Sequence, residues 1–278
     1  MQLHALPIVL LALFHSFSSA DDDDERMVLG VQTVAIKDVP ERNKEKLLGT
    51  RSPKVGVVVL TKDPGCETEF LPFDVITHLD RQVIKSNEDL NAAVVAIDDD
   101  KKHRITYQRS LNGKWFKGDV DFKPKPYKQL VMANLAFDKD AVTDSITFRD
   151  KRSPDSPAQT NVQCRIRETK SGESALLIRF SYGGDDWIFF TDCLVKIDGE
   201  STELKFTDVK HENKGRRVWE WCTRVAKAED TRLLQAMSKG KSVTLRFIGK
   251  YTHDHELTAE EQIAIANVLE ALRLRARK

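Results

Sequence analysis

The sequence predicts an α+β protein of two domains, and three observations carry that expectation. A hydrophobic strand, a Pro-Gly turn, an Asp-led strand and a capped helix succeed one another between Lys54 and Val94. Apolar residues alternate in Leu176, Ile178, Phe180 and Tyr182, and again in Trp187, Phe189, Thr191, Cys193, Val195 and Ile197. Thr258-Ala259-Glu260-Glu261 is a capping box that opens a C-terminal helix.

The chain opens on an apolar run, Leu6 to Phe14, too short for a comfortable membrane span and followed by the small residues Ser18-Ser19-Ala20. Residues 1–20 are therefore expected to be a signal peptide, although no Lys or Arg precedes the run, and the mature chain to be secreted or periplasmic. A retained anchor is the alternative, and only then is a membrane an expected partner. Asp21 to Glu25 is an acidic tail, expected to be solvated. The remaining length of about 258 residues suits two domains of ordinary size. Charges nearly balance, 44 basic against 43 acidic, which speaks against nucleic acid or a polybasic membrane surface as partner.

In the first domain Val55 to Leu60 reads as a β-branched strand and Asp74 to Leu79 as a second. Ser86 is placed as a helix N-cap with Asp89 three residues on, and Leu90, Ala93, Val94 and Ile97 give that helix an apolar face. Arg104 to Arg109 and Trp115 to Phe122 read as strands joined through Leu111-Asn112-Gly113-Lys114. Two prolines at alternate positions, Pro124 and Pro126, predict an extended connector, so the first domain is bounded at 26–124 and the second at 125–278.

The second domain is expected to hold a mainly antiparallel sheet with one covered face. Val162, Cys164 and Ile166 and then Val243, Leu245 and Phe247 repeat the alternation, and Gly183-Gly184-Asp185-Asp186 reads as a hairpin turn. A helix from Glu229 to Met237 is stopped by Gly240. The C-terminal helix, with Ile263, Val268, Leu269 and Leu272 as its apolar stripe, is expected to cover the sheet. Four cysteines in an exported chain allow two disulfides. One bridge among Cys164, Cys193 and Cys222 is favoured over a bridge to Cys66.

The pieces Val55-Gly56-Val57-Val58-Val59-Leu60, Asp63-Pro64-Gly65, Leu71-Pro72-Phe73-Asp74-Val75-Ile76 and Asn87-Glu88-Asp89-Leu90-Asn91-Ala92-Ala93-Val94 stand in an order that resembles a bacterial PDZ domain, of the kind attached to secreted HtrA-type serine proteases. The likeness extends upstream to Arg26 and downstream to Phe122. It implies a partly open β-barrel with a helix lining a groove, which binds a peptide or protein ligand by strand addition and holds its terminal carboxylate on backbone amides. The resemblance assigns the carboxylate turn to Val28, Leu29 and Gly30, the pairing strand to Val31 through Val34, and the opposing wall to Leu90, Ala93 and Val94. Gly30 suits that role because a residue without Cβ lets amides converge on an anion. Two departures stand out. Phe73 occupies a position where the family usually has Gly, and only residues 66–73 separate Gly65 from Asp74, so the short helix after the Pro-Gly turn is expected to be truncated. The acidic tail lies close enough to the turn to bias the groove toward basic peptides.

Other chemistry is weakly signalled. No Gly-Asn-Ser-Gly-Gly segment marks a serine nucleophile, and His78, His103 and His211 are expected at the surface, so no catalytic residue and no cofactor is assigned. His253-Asp254-His255-Glu256 would put both histidines on one face of a strand, but two ligands are fewer than zinc requires, and no metal is assigned. Trp219 and Trp221 alternate and share a face, as a glycan platform or, more commonly, as a buried pair. The function expected is an exported scaffold or envelope quality-control protein. The alternative is a metal-dependent enzyme or glycan binder in the second domain, with the first as its targeting arm.

Overall fold

A computed structural model describes residues 27–276 except 41–43, 45–47, 50–51, 67, 98–100, 155 and 157. The signal peptide and acidic tail expected at 1–25 lie outside the described residues. The fold is mixed α+β, and the chain divides between Asn134 and Leu135 into two compact units.

The first unit contains β1 (Met27–Val28), β2 (Val31–Ala35), β3 (Val57–Lys62), β4 (Val75–Leu79), β5 (Gln82–Val83), α1 (Asn87–Val95), β6 (His103–Leu111), β7 (Lys114–Phe122), β8 (Lys125–Pro126) and α2 (Tyr127–Ala133). An antiparallel sheet runs β2-β3-β4-β6-β7, with β5 beside β4, and does not close into a barrel. Consecutive valines in β3 serve two cores. Val57 and Val59 face the cluster that receives Leu90, Ala93, Val94 and Ile97 of α1, while Val58 faces Ile36, Val39, Leu48 and Val75 on the other side. A strand covered on both faces needs such a continuous apolar run. The capping box of α1 is formed, Ser86 Oγ accepting from Asp89 N at 3.2 Å and Asp89 Oδ2 from Ser86 N at 3.1 Å. Asn112 and Gly113 both adopt positive φ, 52° and 75°, as the tight β6–β7 hairpin requires.

The boundary expected at residue 124 moves to 134. Lys125 and Pro126 pair with Val28 and Met27, forming a two-stranded ribbon, and α2 follows with Leu130 and Val131 buried. Proline is tolerated there because an edge pairing needs few of its donors. Asn134 Oδ1 then accepts from Gly65 N at 2.8 Å, tying the end of the unit to the Pro-Gly turn.

No helix lies between Gly65 and Asp74 among the described residues. The segment closes instead on a tight turn, with Asp74 N donating to Leu71 O at 3.1 Å, Pro72 at the second position and Phe73 at φ 74° in the third. This is the geometry of a type II turn, which favours glycine at its third position. The departure at Phe73 therefore places a bulky residue in a left-handed conformation at a cost of about 1–2 kcal/mol. The residue is only 38% exposed, so the strain is isolated by comparing two truncations: Phe73→Gly is expected to be about 1 kcal/mol more stable than Phe73→Ala, read as a shift of the urea midpoint at constant slope. Equal midpoints, or alanine above glycine, would refute the strain.

The second unit contains β9 (Leu135–Lys139), β10 (Ile146–Asp150), β11 (Asn161–Glu168), β12 (Ser174–Gly184), β13 (Asp192–Ile197), β14 (Glu200–Lys205), β15 (Lys210–Lys214), β16 (Arg217–Val225), α3 (Ala228–Lys239), β17 (Val243–Ile248), β18 (Thr252–Glu256) and α4 (Ala259–Ala276). Two antiparallel sheets result, β15-β16-β12-β11-β10-β9 and β14-β13-β17-β18. The expected hairpin at Gly183–Asp186 is thus a crossing from one sheet to the other. The phase expected for Trp187 and Phe189 is also reversed: Ile188 and Phe190 are buried while Phe189 is 48% exposed at φ 52°. Glu220 causes the reversal. Its carboxylate, fully buried on β16, accepts from Ile188 N at 2.7 Å, Phe189 N at 2.9 Å and Phe190 N at 2.9 Å, wrapping the segment around a buried anion instead of extending it as a strand.

The capping box of α4 is present, Glu261 N donating to Thr258 Oγ1 at 3.2 Å and Thr258 N to Glu261 Oε2 at 2.9 Å. Its buried face is Ala264, Ile265, Val268, Ala271 and Leu274, so of the expected stripe only Val268 is fully buried. The helix packs on β10, β11 and α3 at once, and small Ala264 and Ala271 allow that close approach. The expected disulfide is replaced by free thiols: all four cysteines are free and buried, with Cys164 on β11 and Cys193 on β13 in different sheets. They pack as small apolar side chains. Burial pushes the Cys164 thiol up and the Cys193 thiol up to about 12, so neither is poised as a thiolate.

Candidate functional site

The β1–β2 turn and the edge of β2 form the site. Gly30 makes the turn at φ 76°, and a Cβ there would lie 3.1 Å from both Cys66 Cβ and Leu130 Cδ1. The neighbouring carbonyls are tied to the Pro-Gly segment: Cys66 Sγ donates to Leu29 O at 3.1 Å and Asp63 N to Gly30 O at 2.9 Å. Across a trans peptide the amide points opposite to the preceding carbonyl, so Gly30 N–H and Val31 N–H are both directed away from that segment. Val31 is paired with Lys62, and with Asp63 N bonded to Gly30 O this pair is a non-hydrogen-bonded one. Its backbone groups therefore face the open edge. Thr33, two residues on, faces the same way. No strand pairs with that side of β2 among the described residues.

Residues 27–120 match a PDZ domain.

The family model described as PDZ domain thus covers about a third of the chain, and no curated protein matches it. Within this PDZ domain the expected site residues separate into three kinds. Val28 pairs with Lys125, Gly30 makes the turn, and Leu29 and Val31 are half-buried against the α1 side of the core. Val34 points to the other face, against the cluster containing Val58 and Val75, and its backbone faces its partner Val58 in β3 and not the open edge. Leu90, Ala93 and Val94 are buried at 4%, 6% and 3% and pack on Val57, Ile76 and Ile105. They hold α1 against the sheet, and Ala93 also lines a cavity.

Sequence reasoning missed Asn87 and three lysines. Asn87, the first residue of α1, crosses to β2: its Nδ2 donates to Thr33 O at 3.1 Å and its Oδ1 accepts from Thr33 Oγ1 at 2.9 Å. An added strand would meet open backbone at Val31 and an occupied carbonyl at Thr33. Beside the turn lies a cavity of about 200 Å³ with Val28, Leu29, Phe122 and Leu130 among its apolar lining and Lys102, Lys123 and Lys125 as its cations. Lys125 Nζ reaches Gly65 O at 3.3 Å. The signal lies in Phe122-Lys123-Pro124-Lys125-Pro126, a stretch whose proline spacing alone predicts a connector. A second cavity, about 310 Å³, is lined by Ala93, Ala96, Ile97, Leu79, Asp80 and His103, and it contains none of the turn residues. His103 Nδ1 lies 2.9 Å from Asp80 Oδ2 there.

In the second unit His253 and His255 do share a face of β18, each half-buried, while Asp254 turns outward to Arg246 at 2.6 Å. The two imidazoles are already engaged. His255 Nε2 lies 2.9 Å from Glu261 Oε1 and His253 packs on Tyr182 with ring centroids 5.0 Å apart. Burial and then His255 hold His253 below its ordinary pKa. No group of three or more candidate ligands forms among the described residues. Trp219 is buried and Trp221 carries the Arg179 guanidinium 4.9 Å above its ring.

Proposed function

We propose that this protein binds the C-termini of extended peptides by adding them as a strand to β2, with the terminal carboxylate at the Val28-Leu29-Gly30 turn. The observation that carries the reading is the outward backbone of Gly30 and Val31 on an unpaired sheet edge, beside a cavity bearing three lysines. Two outward amides suit a carboxylate, and Lys102, Lys123 and Lys125, against the single Asp121 in the same lining, supply a net opposite charge without demanding a particular side chain. The bound segment is short, because Asn87 occupies the Thr33 carbonyl. We read the protein as an exported binding module of HtrA-like PDZ type, without catalytic residues, serving as a scaffold or in envelope quality control. Intact mass of the purified protein, with an N-terminus at Asp21, tests export.

The deciding experiment is a peptide screen pairing each sequence with free and amidated C-termini. Loss of charge-assisted bonds is expected to weaken amidated peptides about 10- to 100-fold. Gly30→Ala is expected to weaken free-carboxylate peptides by a similar factor while leaving the protein folded, since the left-handed turn and the 3.1 Å contacts both resist a Cβ. Equal affinity for free and amidated peptides would remove the carboxylate from the turn.

A further inference from the structure

Four neighbouring strands of the larger sheet, β10, β11, β12 and β16, each contribute one residue to a row across the face opposite the core: Arg149, Arg165, Arg179 and Trp221. Alternation fixes the face, since Cys164, Ile166, Ile178 and Phe180 point the other way into the core. Arg149 stands directly opposite Arg165, and Arg179 opposite Gln163, one diagonal step from Arg165. Such positions are about 5 Å and about 7–8 Å apart at Cβ, and like charges placed so are destabilising.

The arginines are nevertheless held in place. Arg165 Nη2 donates to Gln163 Oε1 at 2.8 Å, and Gln163 Nε2 to Pro154 O at 2.9 Å. Arg179 Nε donates to Ser181 Oγ at 3.0 Å while its guanidinium lies over Trp221. Arg149 donates to Ser153 O at 3.3 Å, and Asp138, 3.9 Å from it, is 75% exposed. The bonds named for Arg165 and Arg179 go to neutral groups, and Arg165 Nε is buried without a hydrogen-bond partner among the described residues. Burial and then Arg165 bring Arg179 down to about 10, and burial and then Arg149 lower Arg165. Val225, on the same face, is 53% exposed and the three arginines each keep part of their surface in solvent, while Gln163 and Ser181 beside them are 4% and 1% exposed. Prepositioned, partly desolvated guanidinium forks match tetrahedral oxyanions, and a row of them matches a chain of such groups.

We propose that Arg149, Arg165 and Arg179, with Trp221 at the end of the row, form a binding site for a chain of two or more linked phosphates. The chain neutralises the repulsion between neighbouring guanidiniums, and Trp221 keeps the Arg179 fork in plane.

Isothermal titration of the full chain with inorganic phosphate, pyrophosphate and tripolyphosphate, at matched ionic strength and without divalent metal, tests this. Affinity is expected to rise with each added phosphate. Arg165→Gln and Arg179→Gln are each expected to weaken tripolyphosphate at least tenfold, and Arg232→Gln, at an exposed position on α3, to leave it unchanged. Without ligand, Arg165→Gln should melt no lower than the parent. ATP binding as tightly as tripolyphosphate marks a nucleotide as source, and tripolyphosphate alone marks an inorganic chain; both support the site. No rise in affinity with chain length in the unmodified protein, or equal binding by the Arg165 and Arg179 variants, would overturn it. The chain-length series decides alone if a variant does not fold.

Discussion

Replacing Glu220 with alanine is expected to destabilise the second unit by about 3–5 kcal/mol. The carboxylate is fully buried and accepts from three consecutive amides at 2.7, 2.9 and 2.9 Å. Each hydrogen bond to a charged acceptor contributes about 1.5–3 kcal/mol, and the deletion strands donors that water reaches poorly. The bonds share one acceptor, so their losses do not add fully. The same amides help hold Phe189 in its left-handed conformation, which costs about 1–2 kcal/mol. In a unit of this size the loss corresponds to a fall in Tm of roughly 10–15 °C. Melting followed by near-ultraviolet circular dichroism reads the effect close by, since Trp219 and Trp221 flank Glu220. Glu220→Gln keeps one carbonyl acceptor and should lose about half as much. An alanine variant within about 1 kcal/mol of the parent would mean that water or a shifted loop replaces the carboxylate.

Removing Asp74 is expected to cost the PDZ domain about 2–4 kcal/mol. Its carboxylate, 1% exposed, takes two bonds from Arg109, Nε and Nη2 each at 2.7 Å, and a third from Leu71 N at 2.8 Å. The hydrogen bonds to Asp74 raise the pKa of the Arg109 guanidinium, which stays charged. The two partners are unequal. Arg109 is about one quarter exposed and can turn to water when Asp74 is lost, whereas Asp74 cannot when Arg109 is lost. Arg109→Ala is therefore expected to cost more than Asp74→Ala, a ranking that urea unfolding of the two variants checks. The reverse order would place the main contribution of Asp74 in the Leu71–Asp74 turn. Because that turn leads into β4, which pairs with β3 and through it supports β2, Asp74→Ala should also weaken peptide binding.

Much of the fold was legible where the physics is local. The capping boxes at Ser86 and Thr258 formed as read, since each joins residues three apart. The alternation in β11, β12 and β17 placed Cys164, Phe180 and Leu245 inward because a period of two admits only two phases. The PDZ order of strand, turn, strand and helix was likewise readable along the chain. The candidate site was legible in its backbone and not in its side chains. Gly30 was placed by the resemblance and by its lack of a Cβ, while Leu90, Ala93 and Val94, assigned to the groove wall, are buried against the sheet, with Ala93 also lining a cavity. An apolar helical stripe does not say whether it faces a groove or the interior of the sheet.

The sequence by itself determined that this protein is α+β and that its first third is PDZ-like, and that likeness marked Gly30 as a turn residue and Phe73 as a departure from glycine. These follow from hydrogen bonds and sterics between near neighbours in the chain. Only the tertiary structure decided that Asn87 closes the β2 edge at Thr33, that Lys123 and Lys125 face a cavity, and that Arg149, Arg165 and Arg179 form one row. It also decided that Trp187 and Phe189 turn outward around Glu220, some thirty residues away. In each case a polar side chain meets a backbone or a charge distant in sequence. Composition and periodicity carry no record of that distance until the strands are placed side by side.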